Sequence, residues 1–329
     1  MQGANLIIEC LIKESVTTMF GYPGGSVIPI YDALYDYTDQ IKHIRTSHEQ
    51  GAVHAADGYA RTSGKTGVCV ITSGPGATNA VTGIATAYMD SSPLVIISGQ
   101  VGTSLLGKDT FQEIDITGVT YSITKHNFLV RKLEDLPNIL REAFIIANEG
   151  RKGPVLIDIP KNLQVTDLDY NMDDYVPSYQ NKKTKDEFQI KEENETKSKL
   201  QGAANLIKQS QRPIIYAGGG AKSVDQYKLL KEFAQKINTP VLNTLMGLGG
   251  IDRANPLSFG LVGMHGSREA NLAISNSDLV ISIGARFSDR VIGNKDEFAK
   301  NAKVIQIDID SSEMSKNIQA EIELVGDLS

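Results

Sequence analysis

One acid stands out by its surroundings. Glu49 lies in His48-Glu49-Gln50-Gly51-Ala52-Val53-His54-Ala55-Ala56-Asp57-Gly58-Tyr59-Ala60-Arg61, between a predicted strand over Ile41–Thr46 and a helix whose Ala52, Ala55, Ala56 and Ala60 form a smooth face for close packing. A carboxylate at a buried strand-to-helix junction is costly to desolvate unless something pairs with it. Such a group is either a local cap or a carboxylate held for chemistry. Asp57 is expected to pair locally, and His48 and His54 to be structural. Two glycine-bearing turns accompany it. In Phe20-Gly21-Tyr22-Pro23-Gly24-Gly25-Ser26, glycines before a helix let backbone N–H groups approach an anionic or carbonyl group. In Thr72-Ser73-Gly74-Pro75-Gly76-Ala77-Thr78-Asn79, Gly74 and Gly76 allow close approach, while Thr78 and Asn79 offer donors. Further on, Phe111-Gln112-Glu113-Ile114-Asp115 carries Gln112, a neutral double donor suited to an oxyanion.

The second half shows a different pattern. Tyr216-Ala217-Gly218-Gly219-Gly220-Ala221 is a strand running into glycines and then a helix; it could cradle a phosphate, although it is not a GxGxxG run. Gly263-Met264-His265-Gly266-Ser267, Gly284-Ala285-Arg286-Phe287-Ser288-Asp289-Arg290-Val291, Ile307-Asp308-Ile309-Asp310 and Gly326-Asp327-Leu328 place glycines, carboxylates and Asp–Arg pairs at strand ends. That is where an open α/β sheet binds dinucleotides.

The elements that must position these residues alternate from the start. Apolar spacing predicts helices over Ala4–Glu14, Val27–Tyr37, Ala77–Met89 and Leu136–Asn148. Apolar runs bounded by Gly and Pro predict strands over Val16–Gly21, Thr66–Thr72, Leu94–Ser98 and Val155–Ile159. From Thr166 to Lys197 the chain is rich in Asp, Tyr, Lys, Asn and Glu without a sustained period, and reads as a polar linker. A second unit follows, with helices over Lys199–Gln209, Val224–Ile237 and Ala270–Ser275 and strands over Pro213–Ala217, Pro240–Asn243, Leu279–Ile283 and Lys303–Ile309. The expected fold class is therefore α/β, two doubly wound parallel-sheet domains joined by a polar linker: 1–165, a linker over 166–197, and 198–329.

Composition narrows the partners. A chain of 329 residues is too long for one typical core, which agrees with two domains. Its net charge of −6, with Lys182-Lys183-Lys185 as the one basic cluster, argues against nucleic acid. No apolar run approaches the roughly 20 residues of a membrane helix, and the first residues lack the basic start and apolar core of a signal peptide. Cys10 and Cys69 both sit in apolar segments as expected buried thiols, so a reducing cytoplasm is the expected location.

Taken together, the Glu49 run, the two turns and the Phe111–Asp115 run resemble thiamine-diphosphate enzymes, most closely the acetolactate synthase (acetohydroxyacid synthase) family, along essentially the whole chain. The resemblance implies that Glu49 hydrogen-bonds the aminopyrimidine ring of thiamine diphosphate. It places Gly25 opposite that ring, Gly74, Thr78 and Asn79 on the cofactor-facing loop, and Gln112 against cofactor or intermediate oxygen. Lys161 is carried over with the catalytic group, Phe111 and Lys125 with the substrate channel, and Arg151 as a flavin contact. The second domain is implied to bind FAD, without redox use in the main reaction. Gly218, Gly219 and Gly220, then Thr244, Leu245 and Met246, then Gly263, Met264, His265 and Gly266 would line it. Arg286 and Arg290 would meet its diphosphate or ribityl region, Asp308 and Asp327 its adenosine and ribose end, with Gly284, Ala285, Asp289 and Ile309 as further cofactor-binding positions.

The implied activity is decarboxylation of pyruvate and condensation of the two-carbon unit with pyruvate or 2-ketobutyrate, in the synthesis of valine, leucine and isoleucine. The implied partners are a second catalytic subunit and a small regulatory subunit. The family pattern of Gly-Asp-Gly followed by Asn, which holds Mg²⁺ and the cofactor diphosphate, has no match here. The chain is therefore expected to be the first two domains of a longer subunit, without metal ligands and inactive alone. Two alternatives stay open: another thiamine-diphosphate enzyme such as pyruvate oxidase or a decarboxylase, with its flavin redox-active or absent, and a non-catalytic flavin-binding module.

Overall fold

Strands that are apolar along their whole length need cover on both faces, and the structure supplies it twice. The computed structural model describes residues 1–180, 189–221 and 224–328, so the Lys182, Lys183 and Lys185 cluster lies outside the described residues. The chain divides into two compact units, Met1–Lys183 and Thr184–Ser329. The first contains β1 (Thr18–Gly21), β2 (Lys42–Arg45), β3 (Gly67–Ile71), β4 (Leu94–Gln100), β5 (His126–Leu129) and β6 (Pro154–Pro160) in the order β2-β1-β3-β4-β6-β5. The second contains β7 (Pro213–Ala217), β8 (Val241–Asn243), β9 (Ser258–Leu261), β10 (Leu279–Ile283), β11 (Lys303–Asp308) and β12 (Ile322–Val325) in the order β12-β11-β10-β7-β8-β9. Every strand pair in both sheets is parallel, so the expected doubly wound α/β class holds in each unit. Three edge strands, β5, β9 and β12, escape the sequence reading. They are four residues long and mostly half-exposed, so they carry no buried apolar run to detect.

In the first unit the helices are α1 (Gly3–Lys13), α2 (Ile28–Leu34), α3 (Glu49–Ser63), α4 (Pro75–Asn79), α5 (Val81–Met89), α6 (Ile116–Thr120), α7 (Leu136–Asn148) and α8 (Lys161–Val165). Val68, Val70, Val95, Ile97, Val155 and Ile157 point to one face, under α1, α2 and α7. Cys69, Ile71, Ile96 and Leu156 point to the other, under α3 and α5. The two-residue period of a strand thus feeds two cores from one apolar run. The second unit repeats the device, with Ile215, Ile281 and Ile305 on one face and Ile214, Tyr216, Val280 and Val304 on the other. The helix expected over Ala77–Met89 is two helices meeting at Ala80.

The linker reading needs correction at both ends. Residues 166–180 form a strap on the first unit. Gly3 N donates to Thr166 O at 3.0 Å, Leu168 N to Met1 O at 2.9 Å, and Gln2 bridges Asp167. Leu168, Tyr170, Met172 and the buried Tyr175 pack against the core. Glu14, itself buried, accepts from Tyr175 OH at 2.8 Å, Ser178 N at 2.9 Å and Ser178 Oγ at 2.5 Å. At the other end, helix α9 (Gln189–Gln209) draws residues 189–197 into the second unit. The strap has no regular period because single apolar side chains dock it, which is why composition alone reads it as solvated.

One carboxyl sits inside the first sheet. Asp158 in β6 is 2% exposed and hydrogen-bonded by Ser98 Oγ at 2.5 Å and Gln100 Nε2 at 2.8 Å. Burial pushes its pKa up to about 7, helped by the charge of Asp115 and opposed by the Ser98 and Gln100 donors. Two stability predictions follow from these buried acids. Tyr175→Phe removes a hydrogen bond to the Glu14 carboxylate and should lower stability by about 2 kcal/mol in urea titration, with faster proteolysis of residues 166–180. For Asp158, the unfolded chain releases the proton near pH ~4 and the folded chain only near 7. The folded state therefore binds more protons in that window, and stability falls as pH rises through it, by at most about 1.4 kcal/mol per pH unit. Asp158→Asn should flatten that slope in urea midpoints measured from pH 5 to 7.5; an unchanged slope would assign it to other groups.

Candidate active site

Within the first sheet, β1 and β3 are neighbours whose chain connections diverge, β1 running on to β2 on one side and β3 to β4 on the other. This is the switch point at which an open α/β sheet leaves a crevice at its carboxyl ends. The loops after these two strands are the two glycine turns. They are joined by a buried staple: Ser26 Oγ lies 2.9 Å from Thr72 Oγ1 and accepts from Ser73 N at 2.8 Å. Gln164 in α8 adds a bond from Nε2 to Ser26 O at 2.8 Å. A Cβ built on Gly24 would lie 2.5 Å from Thr72 Cβ, whereas one on Gly25 would meet nothing within 4 Å. Close packing therefore demands glycine at Gly24, and Gly25 faces open space. Ser26, Thr72 and Gln164 were not singled out from the sequence; a buried hydroxyl beside a turn glycine has no distinctive spacing.

Glu49 is the first residue of α3, 6% exposed, with His48 as N-cap: its Nδ1 accepts from Gln50 N at 3.2 Å. A carboxylate in the first turn is favoured by the helix dipole. Asn79 Nδ2 donates to Glu49 Oε2 at 3.0 Å. The other oxygen, Oε1, faces Gly76, where an added Cβ would lie 2.9 Å from it and 2.5 Å from the Thr72 methyl. The close-packed alanine face of α3 is real, with Ala52, Ala56 and Ala60 buried, and Asp57 pairs with Arg61 at 2.7 Å. Arg61 also reaches Asp90 at 2.8 Å. Thr78 turns its hydroxyl back to the carbonyls of Gly74 and Pro75, so among the donors named on this loop Asn79 is the one that serves Glu49.

The same edge carries Gln112, in the long connection after β4, and Lys161, the exposed first residue of α8 after β6. Gln112 abuts the Gly74 loop, since a Cβ on Gly74 would lie 2.7 Å from Gln112 O. Phe111 beside it is 87% exposed, an aromatic presented to whatever approaches this edge. Two candidates are not brought together with them. Lys125 stands where β6 begins, and its ammonium donates to the carbonyls of Ile146 and Glu149 at the end of α7. Burial draws its pKa below the usual lysine value. In this unit Lys125 is a helix C-terminal cation, away from the Glu49 crevice of its own sheet. Arg151 lies at that same far edge, where its Nε donates to Ser91 Oγ at 2.9 Å.

In the second unit the switch point falls between β7 and β10. The loops after them interlock backbone on backbone: Gly218 N donates to Ile283 O at 2.9 Å and Gly220 N to Gly284 O at 3.0 Å, and a Cβ on Gly218 would sit 2.1 Å from Gly284 O. Thr244 caps the short turn carrying Leu245 and Met246, accepting from Gly247 N at 3.0 Å, and leaves Leu245 70% exposed. Gly263 accepts and donates with Asn271, Met264 N donates to Arg290 O at 2.8 Å, and Gly266 and exposed His265 complete that loop. Ala285 is buried, and Arg286 accepts through its carbonyl from Asn317. Asp289 and Arg290 are exposed and 3.8 Å apart, a pair that adds little by itself. Asp308 ends β11 and accepts from Asp310 N at 3.0 Å, Ile309 is partly exposed, and Asp327 follows β12. All these positions thus lie at carboxyl ends of strands. Phe287, not singled out earlier, anchors the Arg286 loop: it is buried, left-handed at φ 51°, and packed between Tyr216 and Phe298. Among the described residues, no group of three or more His, Cys, Asp or Glu could hold a metal ion, and no helix is long and apolar enough to cross a membrane.

Comparison with known proteins agrees with the two α/β units. Residues 1–119 match the thiamine pyrophosphate enzyme N-terminal TPP binding domain, and residues 200–329 match the thiamine pyrophosphate enzyme central domain. The chain is 50% identical to the probable acetolactate synthase large subunit of Methanocaldococcus jannaschii, covering 99% of this chain and 54% of that protein. It is 47% identical to the acetolactate synthase of Arthrospira platensis, over 99% of this chain and 56% of that one. It is 44% identical to the acetolactate synthase isozyme 2 large subunit of Escherichia coli K12, over 100% of this chain and 58% of that one. The chain thus spans a little over half the length of the curated relatives it matches. It belongs to the thiamine pyrophosphate enzyme family, of which it carries the N-terminal and central domains.

Proposed function

We propose that this chain is the N-terminal and central part of an acetolactate synthase large subunit, decarboxylating pyruvate and joining the two-carbon unit to a second pyruvate or to 2-ketobutyrate. The observation that carries this reading is the Glu49 carboxylate: buried at the switch point, held by Asn79 through one oxygen, with the other facing a wall kept clear by Gly76. Thiamine diphosphate, when bound, supplies a thiazolium carbon that becomes nucleophilic once its proton is lost. The donor set fits its aminopyrimidine. Glu49 would hydrogen-bond the ring nitrogen, and Gly25 leaves open space in the turn opposite. Gln112 donates to the substrate carbonyl oxygen as charge builds there. Lys161, exposed at the same edge, draws the carboxylate of a 2-ketoacid.

The second unit fits FAD, held for structure and not for redox chemistry in the main reaction. The Gly218–Gly220 and Gly284 backbones, bonded to each other, shape the floor of the switch point, where Arg286 and Arg290 would balance the charge of a diphosphate. Exposed Leu245 and Met264 offer apolar contact. The cofactor diphosphate and Mg²⁺ fall to the part of the relatives that this chain does not span. A second catalytic subunit, a small regulatory subunit, a cytoplasmic location and a place in valine, leucine and isoleucine synthesis belong to the same reading.

In the full-length protein containing this chain, Glu49→Gln should cut acetolactate formation roughly 100-fold or more while circular dichroism stays unchanged; near-normal turnover would remove Glu49 from the role. Gly76→Ala should give a folded protein with similarly impaired turnover, because the new methyl displaces Oε1. Product formation should require added FAD without reducing it. Reduction of the flavin by pyruvate at catalytic rate would instead make this an oxidase.

A further inference from the structure

Gln112 has a backbone that few residues of its kind adopt, with φ 58°. A non-glycine residue in the left-handed region is strained by about 1 kcal/mol and persists where its surroundings over-determine it. Three restraints do so here. The Glu113 carboxylate gathers the turn before it, accepting from Gly107 N, Lys108 N, Thr110 N and Thr110 Oγ1, and these donors hold its carboxyl below the usual range. Gly74, at φ 60°, leaves room for the Gln112 main chain where a side chain would collide. The third restraint comes from inside the sheet. Gln100 Nε2 donates to Ile114 O at 2.9 Å and to Asp158 Oδ2 at 2.8 Å, while Gln100 Oε1 accepts from Val101 N at 2.8 Å.

We propose that Asp158 is a positioning residue for Gln112, acting through Gln100 and the Ile114 carbonyl to fix the segment 107–115. An ionised carboxylate only accepts. It therefore turns the NH₂ end of Gln100 inward and forbids the flipped amide, which would set oxygen against oxygen. With the amide so oriented, its second N–H falls on Ile114 O, two residues beyond Gln112. Ser98 Oγ occupies the other carboxylate oxygen and keeps it from rotating. Around Asp158, β4 contributes only these neutral partners, β5 pairs it with Leu129, and Asp115 at the start of α6 is the charged group acting on it. The network is buried and complete, and no reacting group uses it. Its role for substrate rests on the reading of Gln112 given above; its role in ordering residues 107–115 does not.

Asp158→Asn and Gln100→Met provide the test, the second keeping side-chain volume and the carboxyl while deleting the amide. In this chain without cofactor, both should raise amide hydrogen exchange across 107–115 by about tenfold, with α1 and α7 unaffected. In the full-length protein, both should lower kcat for acetolactate more than they raise KM for pyruvate. Wild-type kcat should rise with pH through neutrality, where Asp158 ionises, and that rise should be missing from Asp158→Asn. Unchanged exchange in 107–115 for both variants overturns the proposal, as does altered exchange with an unaltered pH profile. If Asp158→Asn does not fold, Gln100→Met alone decides. If the wild-type protein makes no acetolactate, the proposed function fails, and the exchange result still decides whether Asp158 orders the segment.

Discussion

A parallel sheet covered on both faces has one open place for chemistry, the carboxyl ends of its strands. Both units obey this constraint, and their candidate residues follow from it. Glu49, Gly25, Gln112 and Lys161 come from four different strand exits, and only the fold makes them neighbours of one edge. The same rule sorts the second unit, where the glycines after β7 and β10 interlock at its switch point. A residue at the opposite edge, such as Lys125, cannot join the crevice of its own sheet however basic it is.

Two buried carboxyls show how environment divides labour between identical groups. Glu49 has a helix N-terminus, one amide donor and an oxygen left facing a cleared wall. Asp158 has both oxygens engaged by Ser98 and Gln100 and sits within a strand, so it is tied into the core and closed to ligands. A carboxylate that keeps an oxygen free at a sheet edge is available for chemistry; one with both taken is available for architecture. Distance from solvent does not separate the two, since both are almost fully buried.

Much of this was legible in the sequence, and the gaps have physical reasons. The apolar strands Leu94–Ser98 and Val155–Ile159 were readable because burial on both faces leaves an unbroken run. Glu49 was readable because an acid between a strand and an alanine-rich helix is costly without a purpose. Edge strands β5, β9 and β12 were not, since half-exposed strands lose that run. The 166–180 strap was not, since isolated Leu168, Tyr170 and Tyr175 dock it without a period. Ser26, Thr72 and Gln164 were not, because their partners are 46 and 138 residues distant and no local spacing records such pairs.

The strap has a topological meaning as well. By pairing Gln2 with Asp167 and Gly3 with Thr166, the first unit brings the start of α1 and the start of the strap to adjacent backbone positions. A body whose two ends meet closes its own hydrogen bonding at the seam. In such a layout the first sheet and its crevice form a self-contained cassette.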